Sequence, residues 1–377
     1  MNMPTAVAIQ NLIGINQHTP IIPGVFRSRP NRFLVRCAIY GREIDAFMPN
    51  PGRMGEILLP GAKLILMDHG RLIRRKTRYT VMAAHVRGQV VFLHTHKSNL
   101  VARWLVDTGR IPALADYRVV RAEVPHGRSR FDFLLDGPEG PLLLEVKSCT
   151  LVANGLAMFP DAVTKRGRRH MVELAAINAQ GHRAAVLFLI HNASAGYFLP
   201  DYHTDINFAE TFKNIETILP VYAIAIDWHL DLTIEEHVET VTIPWDVIRR
   251  EAVDKGNVII LGEKTGSFTV SLTDYSGALS DCLRRIETAA RKAGSYSVKM
   301  IFPVRSSKDQ TATMLHALEA LYGHFHYGSI HEGCLKTYIF NTRDNPARQR
   351  AYQDLILNFR MSPSLLDSCT TDKGIRP

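Results

Sequence analysis

The chain is poor in cysteine, in aromatic residues and in long apolar runs. Its five cysteines (Cys37, Cys149, Cys282, Cys334 and Cys369) are scattered, odd in number and form no CxxC pair. That argues against a disulfide scaffold and fits a reducing compartment. No stretch reaches the roughly 18 apolar residues a membrane helix needs, and the longest, such as Ala184 to Ile190, are strand-sized. Residues 1–19 carry no Lys or Arg and no continuous hydrophobic region, so no secretory signal is expected. Sixteen histidines are present, yet neither HExxH nor a Cys/His zinc spacing occurs. A cytoplasmic protein without membrane association is the expectation.

What is present is globular composition, 46% hydrophobic and 21% charged over 377 residues. At roughly 150 residues per domain this length suggests two or three domains. The formal net charge of +9 is unevenly placed. Residues 1–132 hold 20 Lys+Arg against 8 Asp+Glu, a balance of +12, while residues 133–377 hold 25 against 28, a balance of −3. The excess positive charge lies in the first third. That asymmetry points to an anionic partner, nucleic acid being the commonest.

From Ile22 to about Thr95, short β-rich runs alternate with turn residues. Phe33 to Tyr40, Ala62 to Met67, Tyr79 to Val86 and Gln89 to His94 read as strands, the last two a hairpin about Gly88. Such spacing suggests a small barrel or sandwich, and a five-stranded OB-like barrel suits a basic module. From Asn99 the texture becomes α/β. Leu100 to Thr108 reads as a helix, and Arg118 to Val124, Ser129 to Leu135 and Leu142 to Lys147 as strands. A helix is expected over Val163 to Gln180, with Asp161 and Thr164 at its start and Gly181 at its end. Ala184 to Ile190 and Val221 to Ile226 read as buried strands, the second near the middle of a sheet. A further α+β segment follows Asp254. Its expected strands are Val258–Leu261, Ser267–Leu272, Ser297–Pro303 and Lys336–Asn341, and its helices Gly277–Ala293, Thr311–Tyr322 and Pro346–Phe359.

The densest chemistry lies between Glu123 and Lys147. Side chains alternate along a strand, so Glu145 and Lys147 project from one face. The turn Gly137-Pro138-Glu139-Gly140 can fold Asp132 back beside Glu145. Two carboxylates and an ammonium at one point suit metal-assisted phosphodiester hydrolysis. Asp132 and Glu145 would hold Mg2+ or Mn2+ through hard oxygen ligands, with Glu123 as a third acid. Lys147 would orient the attacking water or stabilise charge on phosphate. The competing reading of the same residues is a solvated pair in an ordinary sheet.

The residues around this cluster resemble the sugar fermentation stimulation protein A (SfsA) family. The resembling blocks are Ser129-Arg130-Phe131-Asp132-Phe133, Glu145 through Leu151, and above all Phe159-Pro160-Asp161-Ala162-Val163-Thr164-Lys165-Arg166-Gly167. Weaker matches run from Asn31 through Arg53 and Arg75-Lys76 to Asn99, over about residues 20–245 in all. The sequence departs near Asn50, where Phe47 and Pro51 replace a His and a Thr common in similar members. The resemblance implies an OB-like domain (1–96), then a PD-(D/E)xK nuclease-like α/β domain (97–253), leaving 254–377 as a C-terminal α+β domain of unknown role. It implies DNA binding with little sequence preference, and Glu123, Asp132, Glu145 and Lys147 as the nuclease motif. It also keeps a regulatory, non-catalytic role at sugar-utilisation genes open.

For nucleic acid, the start of the 163–180 helix is crowded with cations that oppose its dipole unless a phosphate binds there. Phosphate contact is expected for Arg166 and His170, with packing of His170 against Glu173 within the turn as the alternative. In the β-rich domain Arg32, Arg53, Arg75 and Lys76 are the expected contacts, with Arg130 beside the acidic motif. Phe33 is expected in the core. DNA is the expected partner, RNA stays open, and so does the oligomeric state, a homodimer included.

Overall fold

A computed structural model describes residues 6–250, except 53, 55–56, 59–60, 71–74, 87, 154–155 and 202–204, and beyond them the backbone of five strands. Residues 1–152, 157–198 and 210–243 form one compact unit; 153–156, 199–209 and 244–377 form the other.

The first unit opens with β1 (Ala6–Val7), followed by β2 (Ile21–Asn31), β3 (Leu34–Ile39), β4 (Arg42–Phe47), β5 (Lys63–Asp68), β6 (Tyr79–Val86) and β7 (Gln89–Phe92). Their order is β4-β3-β2-β5-β6-β7, and β4 also pairs with β6 in parallel through Ala46↔Tyr79 and Phe47↔Thr80. That extra pairing closes five strands into an OB-type barrel. Alternation fills it: Val35, Cys37 and Ile39 of β3 point inward to Phe26, Ala46, Leu64, Leu66 and Val81. The strand β4 is an addition to the sequence reading. It returns through a tight turn in which Tyr40 (φ 48°) and Gly41 (φ 78°) are both left-handed, the backbone of a type I′ hairpin.

Helix α1 (Thr95–Asp107) starts five residues before the expected Leu100, because the Thr95 amide and hydroxyl both bond to the Pro49 carbonyl, at 3.3 and 2.7 Å. Then come β8 (Arg118–His126), β9 (Ser129–Asp136), β10 (Leu142–Cys149), β11 (Leu151–Ala153), β12 (Leu156–Phe159), α2 (Lys165–Ala179), β13 (Arg183–Ile190), β14 (Tyr197–Pro200), α3 (Ile206–Asn214), β15 (Val221–Ala225), β16 (Ile234–Glu235), β17 (Glu239–Thr240) and α4 (Trp245–Arg250). The main sheet runs β17-β15-β13-β10-β9-β8, with β10, β13 and β15 parallel. The strand at Val221 therefore sits one place from the sheet edge rather than mid-sheet; β13 and β10 hold the centre. On one face Leu144, Val146, Leu187 and Leu189 pack with Val101, Ala102 and Leu105 of α1. Barrel residues Ile65, Met82, Val90 and Phe92 join the same cluster, so barrel and sheet share one apolar core. Phe92 stacks on Trp228 with centroids 4.3 Å apart and planes 4° from parallel.

On the other face lies α2, opened by Thr164, whose Oγ1 accepts a 3.0 Å bond from the Gly167 amide. A Cβ on Gly167 would come within 2.7 Å of that Oγ1, so glycine permits the cap. At the far end Gly181 takes φ 84°, the left-handed turn expected there.

In the second unit the backbone gives β18 (Asn257–Gly262), β19 (Gly266–Ser271), β20 (Tyr296–Phe302), β21 (Phe325–Ser329) and β22 (Lys336–Asn341). They form an antiparallel sheet in the order β19-β18-β20-β22-β21. The four strands expected after Asp254 are all present and β21 joins them; the three expected helices lie outside the described residues. Among the described residues no helix is long and apolar enough to cross a membrane.

Candidate nuclease-type site

The β9–β10 hairpin does what the Gly137–Gly140 turn suggested. The Gly140 amide bonds the Gly137 carbonyl at 2.9 Å, and the strands pair through Leu142↔Leu135, Leu143↔Leu134 and Leu144↔Phe133. The next step brings Asp132 against the Glu145-Val146 backbone. Asp132 Oδ2 accepts from the Val146 amide at 2.8 Å, and its Oδ1 accepts from Asn99 Nδ2 of α1 at 2.7 Å. Glu145, 4% exposed, accepts through Oε1 from the Lys147 ammonium and from His170 Nδ1, the latter at 2.6 Å. Its other oxygen, Oε2, is buried with no partner. A buried carboxylate oxygen without a donor is costly to leave unpaired.

Electrostatics separates the two acids. Burial first, and then the Glu145 charge, push the Asp132 carboxyl up to about 6. Burial also acts to raise Glu145, but the His170 hydrogen bond and the Lys147 charge outweigh it and hold that carboxyl below its ordinary value. The folded state therefore holds a proton on Asp132 more tightly than the unfolded chain does. Its contribution to stability is full below the unfolded value near 4 and is lost as pH rises through about 6. We expect Asp132→Asn to gain stability relative to wild type across this window, by on the order of 1–2 kcal/mol. Chemical denaturation of both proteins between acid and neutral pH, without divalent metal, checks this. A constant difference across the window would mean that Asp132 does not titrate there.

His170 departs from expectation. It is 1% exposed and grips Glu145, so it is not a surface contact for phosphate. The Arg166 Nε–H reaches His170 Nε2 at 3.4 Å, which assigns the His170 proton to Nδ1, facing Glu145. Arg166 itself is exposed at the start of α2. Glu123 also departs. It lies in β8 between the pairs Ala122↔Phe133 and Val124↔Phe131, hence beside Asp132 in the ladder. Yet it has φ 54° and is 57% exposed, and its carboxylate pairs with Arg130 Nε at 2.5 Å. That ion pair occupies both residues, so neither joins the Asp132–Glu145–Lys147 group. Asn99 was missed by the sequence reading, because its role depends on α1 lying over β9. Among the described residues no group of three or more His, Cys, Asp and Glu side chains is arranged around one metal position.

In an OB barrel the first and fourth connections and the face of strands two and three form the usual ligand surface. Arg32 and Phe33 occupy the first connection. Phe33 is 48% exposed, not core, with the Arg32 guanidinium 5.9 Å from its ring centroid. Arg75 and Lys76 lie exposed on the fourth connection. Arg53 lies outside the described residues.

Two family models match the chain consecutively: the SfsA N-terminal OB domain over residues 28–93 and the sugar fermentation stimulation protein RE domain over residues 95–231. The sugar fermentation stimulation protein homolog of Moorella thermoacetica is 41% identical over 194 residues, 51% of this chain and 84% of that protein. Its counterpart in Pyrobaculum neutrophilum is 42% identical over 192 residues, 51% of this chain and 80% of that protein. Among solved structures, Pyrococcus furiosus SfsA in complex with Ca2+ superposes with a TM-score of 0.55 at 26% identity, covering 59% of this chain and 96% of that one. With an OB barrel leading into an α/β domain, and with relatives matched over most of their length, the chain belongs to the SfsA family.

Proposed function

We propose that this protein is a divalent-metal-dependent nuclease that hydrolyses phosphodiester bonds of DNA or RNA with little sequence preference. The observation that carries the reading is the convergence of Asp132, Glu145 and Lys147, with Glu145 Oε2 buried and unpartnered. Mg2+ or Mn2+ suits this donor set, since such ions keep several waters and take one or two carboxylates from the protein. The Ca2+ bound by the Pyrococcus furiosus relative is a hard cation of the same kind. When bound, the ion would polarise phosphate and lower the pKa of a water. The chain's own residues do the rest. Asn99 and the Val146 amide orient Asp132. His170 and Lys147 saturate Glu145 Oε1 and leave Oε2 for the ion. The Lys147 ammonium stands where negative charge develops on phosphate. Arg32, Phe33, Arg75 and Lys76 hold the strand.

The alternative, a non-catalytic DNA-binding protein acting at sugar-utilisation genes, draws on Glu123 being tied to Arg130, which leaves two carboxylates rather than three. Incubation with single- and double-stranded DNA and with RNA, in Mg2+, Mn2+ or EDTA, decides between them. Cleavage that requires metal is expected; a protein that binds these substrates and leaves them intact in both metals is not a nuclease.

For the barrel, Phe33→Ala should weaken single-strand binding by about 1–3 kcal/mol, the usual worth of one stacked base. The double reversal Arg75→Glu with Lys76→Glu should weaken it further and flatten the salt dependence. Fluorescence anisotropy over a salt series reads both. Unchanged affinity in both variants removes this face from the interface.

A further inference from the structure

Where the barrel meets the start of α1, basic side chains gather. His69 Nε2 and Arg75 Nη2 both reach Thr80 Oγ1, at 2.9 and 3.4 Å. His94 immediately precedes α1, and its ring centroid lies 6.1 Å from that of His96. The Lys97 ammonium lies over Gly14, where an added Cβ would stand 2.9 Å from Nζ. The first turn of α1 contains no acidic residue and has no side-chain cap. Asp68 acts on His69, and Arg78 holds both of its oxygens at 2.6 and 2.5 Å. Among the described residues neither Arg75 nor Lys97 belongs to an ion pair.

A second observation points to a ligand. His94 is 8% exposed and its Nδ1 is buried with no hydrogen-bond partner. Burial, then Lys97, His96 and Arg75, hold this imidazole down to about 3, so it stands neutral beside the Lys97 and Arg75 charges. Lys97 is itself lowered, by burial and by Arg75. The Arg75 and Lys97 charges oppose each other and the charged form of His94, and an anion between them would offset that repulsion.

We propose that Arg75, Lys97 and the imidazoles of His69, His94 and His96 form a phosphate-binding site at the barrel–α1 junction, separate from the Asp132–Glu145–Lys147 group. That the phosphate belongs to a nucleic-acid strand rests on the function proposed above; the anion chemistry does not. Asn99, which holds Asp132, stands two residues along α1 from Lys97. A phosphate seated on Lys97 thus sets the register of a strand relative to the acidic site through one rigid helix.

The test uses the full chain in EDTA, so that cleavage plays no part. Thermal melts compare inorganic phosphate with chloride at matched ionic strength, for wild type, Lys97→Met and Lys97→Arg, with Arg75→Gln as an exposed second variant. Phosphate should raise the wild-type Tm by several degrees, as expected of a ligand well above its Kd. The shift should vanish in Lys97→Met, diminish in Arg75→Gln and survive in Lys97→Arg. Anisotropy with 5′-phosphorylated and 5′-hydroxyl oligonucleotides then identifies the source. A 5′-phosphate preference lost in Lys97→Met marks a strand end. Equal weakening of both, with the salt slope reduced by about one, marks a backbone phosphate. Unchanged oligonucleotide binding beside a lost phosphate shift marks the free anion. Equal phosphate shifts in wild type, Lys97→Met and Arg75→Gln overturn the site, because phosphate then acts only as an excluded co-solute. Wild type that binds no oligonucleotide, but keeps the Lys97-dependent shift, sinks the nucleic-acid reading and leaves the site standing.

Discussion

Replacing Asp132 or Lys147 by alanine should reduce metal-dependent cleavage by on the order of 100- to 1000-fold or more, with nucleic-acid binding in EDTA largely retained. Asp132→Ala removes one of two carboxylates and leaves the Val146 amide and Asn99 without their acceptor. Lys147→Ala removes the ammonium paired with Glu145, leaving His170 as that carboxylate's remaining donor. Because these groups act on one reacting phosphate, the double variant should lose little more than the worse single variant. His170→Ala should also lose activity, through Glu145 rather than through substrate, so its loss should appear in the turnover rate and spare the affinity measured in EDTA. Single-turnover cleavage with each variant, beside melts that verify folding, reads these outcomes. Variants that cut as fast as wild type would assign any activity to another part of the molecule.

The largest loss of stability is expected from Phe188→Ala, at about 3–5 kcal/mol. Phe188 lies on central strand β13, is 0% exposed, and faces away from the α1 side of the sheet. Its ring meets Phe198 at 4.3 Å, Phe159 at 5.4 Å and Phe212 at 5.9 Å between centroids. Removing it opens a cavity bounded by three rings that cannot all close in, so transfer and cavity costs both apply. Leu187, one residue away, faces the opposite core cluster, which limits how far the strand can shift to compensate. Urea unfolding of wild type and variant measures the difference. A loss under about 1 kcal/mol would mean that the ring cluster repacks around the gap.

Local signals carried much of the fold. The Thr164 cap and Gly181 bound α2 because both act within one turn of the chain. The Gly137–Gly140 turn and the alternation of Leu142 to Lys147 placed Asp132 beside Glu145, since a hairpin is a short-range object. Strand β4 was hidden by Tyr40, which lacks the usual Asn or Asp signal of a type I′ turn although its backbone makes one. Phe33 reads as core by hydrophobicity alone; its exposure follows from its place on a barrel connection. His170 and Glu123 show the same limit in opposite directions. One basic-helix residue turns inward because α2 packs on β13 beside β10, and one acidic residue turns outward to a neighbouring arginine.

By itself the sequence determined the basic first third and the order of a β-rich module before an α/β one, and its turn and strand alternation suggested the meeting of Asp132, Glu145 and Lys147, because composition, period and turn chemistry are local properties. Only the tertiary structure decided that Asn99 and His170 hold the two carboxylates, that Glu123 does not join them, and that, among the described residues, Arg75 and Lys97 enter no ion pair. Those outcomes depend on α1 and α2 packing across the sheet and on the barrel closing against α1. Contacts between residues distant in sequence leave no periodic trace in the chain, and burial and charge balance exist only once it has folded.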